Sequence, residues 1–529
     1  MTSMASKVYD ELNKAWKSTC RILLGDEIGD LKDYEAWLRE YFPKAHARKS
    51  HVSGSEVTVV MDDYCNDANF VSMNEAKEKS IDPLTINEIK DVDSVLEAIS
   101  EKWEYTGNRM LGNSSYVEKS DLIIDSQYVY DSVNLEKSAY AYATFEAVDF
   151  KYSFGSGYFS KDCEFLIKFL RGSNDKRCFS SVYSNDCSDI YSSMHCYGSH
   201  DLMFCFHQWN KRNCIGNVQL TPDKYRQLKA KLLGEMRDTL KKSKSFPSLF
   251  ELIPNEPLSG DVRISSAQEK KEENLAPIDK SFKATFKVIF KKEASSLEDY
   301  EEWLSKRVVP VEEFVSPFGA KVYKPRQNAT CWILASFPDK RLVTYAEALE
   351  LGKLQMKEED LSNLEKIKEW VAKTGTFATE FLTGTHMNII KTPVALDSSN
   401  TYNVYTGVRS EYCGVSSWPI QSKHVFGCRW VTDTQHSIKC YNSLGLMRCF
   451  EVDTSTRCTD SFFAHNCEGL SEAMFCWNAK GKRYAIGNTM LPPEQYRKIK
   501  DALIGQIGDE IVAKKDFKWD IFNIGCAKK

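Results

Sequence analysis

Cysteine recurs every nine residues in two separate stretches of this chain, at Cys178, Cys187, Cys196, Cys205 and Cys214, and again at Cys440, Cys449, Cys458, Cys467 and Cys476. A fixed short period constrains the fold more than composition does, because it marks a structural unit repeated along the chain. The two stretches align without a gap at an offset of 271, the difference between 448 and 177. Arg177-Cys178-Phe179 matches Arg448-Cys449-Phe450, Lys211-Arg212 matches Lys482-Arg483, and Ile215-Gly216-Asn217 matches Ile486-Gly487-Asn488. The repeat has therefore been duplicated within one chain.

A length of 529 residues exceeds what one hydrophobic core serves, so several domains are expected. A net charge of -4, from 70 basic and 74 acidic residues, provides no global field for nucleic acid or an anionic membrane. Met1 to Asp10 contains no apolar run of the secretory kind, and no stretch reaches the length of a membrane span, so a cytoplasmic protein is expected. The cysteine total, 17, is odd and mostly periodic. This differs from a secreted disulfide framework, and mostly reduced thiols are expected. Stacked repeats would bring some of those thiols near one another.

Each half opens with a β-type run followed by a helix: Cys20 to Leu24 then Leu31 to Leu38, and Phe286 to Phe290 then Leu297 to Leu304. A second strand follows, Val57 to Met61 and Thr330 to Ser336. Ser72 with Glu75, and Thr344 with Glu347, have capping-box spacing, with helical stretches running to about Trp103 and Trp370. From about Asp125 and Thr401 the pattern changes to short β runs, in the second copy from Tyr402 to Gly487. Strong hairpin turns are missing from these runs, and self-similar short strands favour a parallel β-helix of two or three strands per coil. The nine-residue cysteine period and a strand recurrence near eleven do not agree on the coil length. Pro222 and Pro493 then start helices that close the ends.

The predicted fold is α+β, a tandem duplication in which each copy is a small α+β module followed by a β-solenoid with a capping helix. Its parts are 1–120, 121–240, a linker 241–283, 284–395 and 396–529. The proline-containing linker reads as a flexible tether that lets the halves pair within a chain or between chains.

At Met474-Phe475-Cys476-Trp477-Asn478 through Lys482-Arg483-Tyr484-Ala485-Ile486-Gly487-Asn488, after Arg448 to Asp453 and His465-Asn466-Cys467-Glu468, the chain resembles a family of uncharacterised cysteine-rich repeat proteins of archaea and small uncultivated bacteria. Some of its members are labelled acyl-CoA transferases. The resemblance covers about Arg341 to Ile507 and, more loosely, the first copy. It implies a β-solenoid in an intracellular setting and carries no established activity. Several family cysteine positions are Ser, Thr or Phe here, including Phe169 opposite Cys440. Neither a doubly wound nucleotide fold nor a Gly-rich elbow accompanies the transferase label, which is set aside.

Five kinds of site are candidates. Thiolates and imidazoles bind zinc or iron-sulfur clusters, and the densest grouping is His195, Cys196, His200, Cys205 and His207, with His465, Cys467 and Cys476 in the second copy. No C-x2-C pair occurs, and neighbours on a strand point to opposite faces, so inward Cys packed as a small hydrophobe with His on the surface is the simpler reading. Thiol catalysis would need the same neighbours. A basic patch formed by Lys211, Arg212, Arg226 and Lys229, repeated at Lys482, Arg483, Arg497 and Lys500, suits an acidic partner or RNA phosphate, with helix-end cations on a solvated face as the simpler reading. Asp189 and Asp460, at matched positions, invite a carbohydrate-active reading, although Asp is also a common turn residue. Among the aromatics Tyr128, Tyr130, Tyr140, Tyr142, Phe154, Tyr158 and Phe159, most are expected in the core and some on a binding face.

No P-loop, Rossmann, HExxH or G-x-S-x-G motif occurs. The leading expectation is a non-enzymatic scaffold acting through self-assembly or protein interaction on its solenoid faces, forming a homo-oligomer or binding a protein partner. No cofactor, membrane or nucleic acid is expected. A metal- or thiol-dependent protein comes second and a carbohydrate-active β-helix third.

Overall fold

The computed structural model describes residues 7–40, 45–82, 86, 88–149, 151–155, 157, 165–168, 181–260, 262–264, 273–309, 311–326 and 335–526. Helices and strands are mixed, and parallel sheets dominate the strand content. The expected strands at Cys20 to Leu24 and Phe286 to Phe290 are instead the ends of helices Lys7–Leu24 and Ala276–Phe290. Their apolar residues follow a helical spacing, with Leu12, Trp16, Cys20 and Leu23 buried on one face. A 3-10 turn and one turn of α-helix follow in each half, Leu31–Tyr34 with Glu35–Leu38 and Leu297–Tyr300 with Glu301–Ser305. Thr344 and Glu347 form the expected capping box on Tyr345–Leu351. Ser72 and Glu75 bond to each other at the end of strand Phe70–Ser72, and no helix begins there; the nearest capping box joins Asp91 and Ser94. Most of Thr330 to Ser336, like Cys178, Phe169, Tyr158, Phe159 and Pro83, lies outside the described residues.

In both ladders most strands pair in parallel with the one twelve residues on, as in Ile190↔Leu202↔Cys214 and Ser461↔Ala473↔Ala485, while Met110↔Ile123, Tyr152↔Phe165 and Phe381↔Val394 are thirteen apart. The second ladder forms a fifteen-stranded sheet. Within it Glu411–Ile420, Lys423–Phe426, Gln435–Ile438, Phe450–Asp453, Tyr441–Leu444 and Arg429–Thr432 pair in a ring, so six parallel strands close on themselves. Closure is possible because Glu411–Ile420 and Phe450–Asp453 each bond two neighbours on the same side.

Inside each twelve-residue repeat the chain advances in steps of three. The buried cluster Val425, Cys428, Val431, Cys440, Leu446, Cys449, Val452, Cys458, Ala464, Cys467 and Cys476 contains only residues separated by multiples of three. The residue before each inward one has positive φ, for example Arg448 (54°), Glu451 (53°), Thr454 (51°) and Arg457 (54°). This conformation costs an ordinary L-residue roughly 1–2 kcal/mol, so it persists only where surrounding bonds over-determine it. Those bonds are present. An inward hydroxyl accepts the N–H of the inward residue twelve places later, as Ser455 Oγ does from Cys467 at 3.0 Å, Ser437 from Cys449 at 3.3 Å and Ser193 from Cys205 at 2.9 Å. It donates to the carbonyl two places earlier, Ser455 to Asp453 at 2.9 Å. Thiols make the same two bonds: Cys440 N–H donates to Cys428 Sγ at 3.3 Å, and Cys440 Sγ donates to Ile438 O at 3.5 Å.

Nine is therefore one repeat less one step of three. Successive cysteines lie on neighbouring columns. Twelve residues away a cysteine meets another residue type, as Cys196 with Gln208, Ala464 with Cys476 and Thr401 with Cys413, whereas Cys428 meets Cys440. Two short strands occupy a twelve-residue repeat, as Lys423–Phe426 with Arg429–Thr432 and Gln435–Ile438 with Tyr441–Leu444, the lower of the two or three expected.

The halves close each other. At the end of the first ladder Asn217 Oδ1 accepts the N–H of Phe206, the place the next repeat would take, and its Nδ2 donates to Leu354 O of the second module. At the end of the second ladder Asn488 does the same for Trp477 and donates to Lys79 O of the first module. Gly216 and Gly487 both have φ 54°, and a Cβ there would meet Met356 at 2.9 Å and Ile81 at 2.8 Å. Trp103 packs against Trp477 at 5.1 Å, and Tyr345 against Trp209 at 5.7 Å. Each α+β module thus covers the end of the other half's ladder. Helices Pro222–Ser243 and Pro493–Lys514 begin at the predicted prolines and pack beside their own ladders. The span read as a linker is partly ordered: Phe246 and Ile253 are buried, Leu249–Leu252 is a capped helical turn, and a helix starts at Ala276. A disulfide, Cys65–Cys526, joins the first module to the C-terminal segment.

Candidate functional site

The inward columns place Cys196, Cys205, Cys467 and Cys476 in the ladder interiors, essentially without solvent exposure. Burial raises their thiols well above the ordinary range, with Cys476 pushed up to about 12. A neutral, inaccessible thiol is a poor nucleophile. Beyond Cys65 and Cys526, every free cysteine among the described residues is buried.

The histidines fall at positions between the inward columns and point away from the cysteines, but they are not on the surface as expected. His195 and His207 are covered by the second module: their Nδ1 atoms lie 3.1 Å apart, His207 Nε2 meets Thr376 Oγ1 at 2.8 Å, and His195 packs between Tyr197, Trp209 and Tyr345. Burial lowers both imidazoles, His195 to about 3. His465 is covered by the first module. It bonds Asp453 at 2.8 Å through Nδ1 and accepts the Thr106 N–H at 3.0 Å through Nε2, so its proton sits on Nδ1. His200 bonds Ser188 at 2.8 Å on the outer face. The structure therefore separates the histidines from the cysteines, and no group of three or more His, Cys, Asp or Glu suited to a metal occurs among the described residues.

Sequence reasoning missed the charged groups buried beneath the first module. Arg109 and Asp121 make a two-bond ion pair at 2.5 and 2.9 Å, and Tyr64 donates to Asp453 at 3.2 Å. Nearby, Lys439 donates to Trp303 O and lies 3.8 Å from Glu451, which accepts the Ile521 N–H. Burial raises Glu451 to about 8 and lowers Lys439, so both move toward neutrality. Arg307 bridges Asp520 and Asp63. Arg109, Asp121, Lys439 and Glu451 look solvated in sequence, but Asp121 also accepts the Val60 N–H of its own half, and Lys439 and Glu451 meet Trp303 and Ile521 of theirs. The Tyr64–Asp453 and Arg307–Asp63 contacts cross between the halves.

The predicted basic patch is divided among counterions. Lys482 pairs with Glu78 at 2.6 Å across the module junction. Lys229 pairs with Asp201 at 3.3 Å above Tyr191 and Tyr225, and Lys500 pairs with Glu472 at 2.6 Å above Phe462 and Tyr496. Arg226 is held by Asp223, Arg483 and Arg497 lie over Tyr484, and Lys211 and Arg212 are exposed. Arg497 and Lys500 do meet at a cleft of about 300 Å³ between the ladder and helices Ala276–Phe290 and Pro493–Lys514. Arg448 is bonded there to Asp460. Asp189 and Asp460 stand at corners with φ 55° and 50°, the turn role that competes with a carbohydrate reading.

One outward column remains partly open. Tyr116, Tyr128, Tyr140 and Tyr152 stack with centroids 4.8, 5.0 and 5.1 Å apart and planes within 11°. Tyr116 is 48% exposed. The equivalent column of the second half begins Tyr412, His424, His436, stacked at 5.4 and 4.4 Å against Ser281 and Thr285 of a helix. Of the sequence-flagged aromatics, Tyr142 and Phe154 are core, while Tyr128 and Tyr140 belong to this open column.

No family model, curated protein or solved structure matches the chain. Among the described residues no helix is long and apolar enough to cross a membrane.

Proposed function

We propose that each ladder is a β-solenoid of twelve residues per coil, and that the protein is a non-enzymatic scaffold acting through the outward faces of those coils. The observation that carries this reading is the half-exposed tyrosine column, whose four rings repeat at the spacing of the coils. Such a row presents rigid aromatic area with little side-chain entropy left to lose, a favourable contact surface. Sealed thiols and internally paired cations favour contact over chemistry. Because the modules cover the C-terminal ladder ends, assembly on this reading is lateral.

The test is the combined substitution Tyr116→Ser, Tyr128→Ser and Tyr140→Ser, followed by light scattering coupled to size exclusion and by circular dichroism. A defined wild-type assembly that the variant loses, with its spectrum unchanged, is the expected result. A wild-type protein that remains monomeric across a hundredfold concentration range, with the variant indistinguishable, would overturn lateral self-assembly.

A further inference from the structure

We infer that residues 7–264 of one chain can close the second half of a second copy, and that the Cys65–Cys526 disulfide holds the chain in its self-closed form. This goes beyond the scaffold reading and does not depend on it, since it uses the ladder ends and leaves the tyrosine column free.

Three observations carry the inference. The contacts between halves are reciprocal and do not require the halves to share a chain. Asn217 with Leu354 mirrors Asn488 with Lys79, and Gly216 against Met356 mirrors Gly487 against Ile81. An exchanged pair would remake every one of them. The connection is also long. Val262 and Ile264 pack on the second module, and Asn274 bonds Asn388. The nine Cα–Cα steps from Ile264 to Glu273 span up to about 30 Å when extended.

The third observation is the bond itself. Cys65 belongs to the first half and Cys526 to the second, and the intervening 461 residues contain the whole connection. While the bond is intact, the first module remains on its own chain's second ladder. A dithiol reductant opens it by thiolate attack on one sulfur and release of the other as a thiolate. Its second thiol then displaces the mixed disulfide. Two electrons and two protons pass to the cysteines, leaving two thiols and the oxidised reductant. The interfaces of the closed monomer and the exchanged dimer are the same, so the monomer is favoured until the protein concentration approaches the roughly mM value that a tether imposes on its own ends.

The test mixes full-length C65S with full-length C526S. Neither chain alone has both cysteines. The two are incubated together in reductant at near-mM concentration, oxidised, and analysed by non-reducing denaturing electrophoresis with peptide mass spectrometry. The expected product runs at twice the chain mass of 60.5 kDa and contains the Cys65–Cys526 linked peptide, at least tenfold above either variant alone and rising with concentration. A mixture with no more of that peptide than its components overturns the inference. Should either variant fold poorly, wild-type chains grown in ¹⁴N and ¹⁵N are reduced, mixed and reoxidised. Linked peptides of mixed isotope are then expected, and purely unmixed ones overturn the inference.

Discussion

Ser455→Ala is the most direct probe of how the ladder interior is bonded. Ser455 is buried; its Oγ accepts the Cys467 N–H at 3.0 Å and donates to Asp453 O at 2.9 Å. Alanine fills nearly the same volume, so no large cavity forms and the effect is on hydrogen bonding. The Cys467 amide points inward, where no water reaches it. Leaving a buried donor unmatched costs about 1–3 kcal/mol. At the amide that corresponds to local opening roughly 5- to 150-fold more frequent, converting free energy to population at about 1.4 kcal/mol per decade. Hydrogen exchange followed by mass spectrometry on peptides spanning Thr459 to Trp477 reads this, with urea unfolding as the global measure. Faster exchange is expected at Cys467, and little change is expected in the first ladder. If exchange at Cys467 stays within twofold of wild type and the urea midpoint does not move, the account of the inward hydroxyls is wrong.

Three further outcomes follow from the same geometry. Cys428→Ser retains an acceptor for the Cys440 N–H and is expected to cost under about 1.5 kcal/mol, whereas Cys428→Leu overfills the column and costs about 1–3 kcal/mol; calorimetry ranks them. His195, His207, His424, His436 and His465 are all lowered by burial. The unfolded chain then binds protons first as pH falls, so stability is complete above about 6.5 and declines below it, by about 1.4 kcal/mol per pH unit for a fully buried imidazole such as His195. A melting temperature that is flat from pH 7 to pH 5 contradicts this. Burial pushes Glu451 up to about 8, so its carboxyl is largely neutral at pH 7. Glu451→Gln, which retains an acceptor for Ile521, is expected within about 1 kcal/mol of wild type, and Glu451→Ala about 1–3 kcal/mol below it by urea titration.

The cysteine period, the duplication, the helices at Pro222 and Pro493 and most strands of the second ladder were legible in sequence. The repeat length was not. Outward corner positions accept Arg, Glu, Thr and Phe alike, while inward ones accept Cys, Ser, Val, Leu and Ala. A step of three therefore leaves only a blurred pattern, and the cysteines report nine because they shift column at each repeat. Helix Lys7–Leu24 read as a strand at its end because Cys20 to Leu24 was judged apart from the helical spacing before it. The Ile-Gly-Asn words at the ladder ends were visible, but not that Gly216 and Gly487 receive the opposite module. Nothing local distinguishes closure of one's own ladder from closure of the other. The buried charges Asp121, Lys439 and Glu451 were hidden because their partners Val60, Trp303 and Ile521 lie 61, 136 and 70 residues away, and the pairing of Cys65 with Cys526 spans 461 residues.

Reciprocal closure is the centre of this account, and cutting the chain between its halves tests it. A protease site placed between Ile264 and Glu273 in the full-length protein is cleaved, the Cys65–Cys526 bond is reduced, and the product is examined by native mass spectrometry. Two fragments that remain together as a one-to-one complex, with the circular dichroism of the uncut chain, are the predicted result. Fragments that separate while each retains its folded spectrum would show that neither half closes the other.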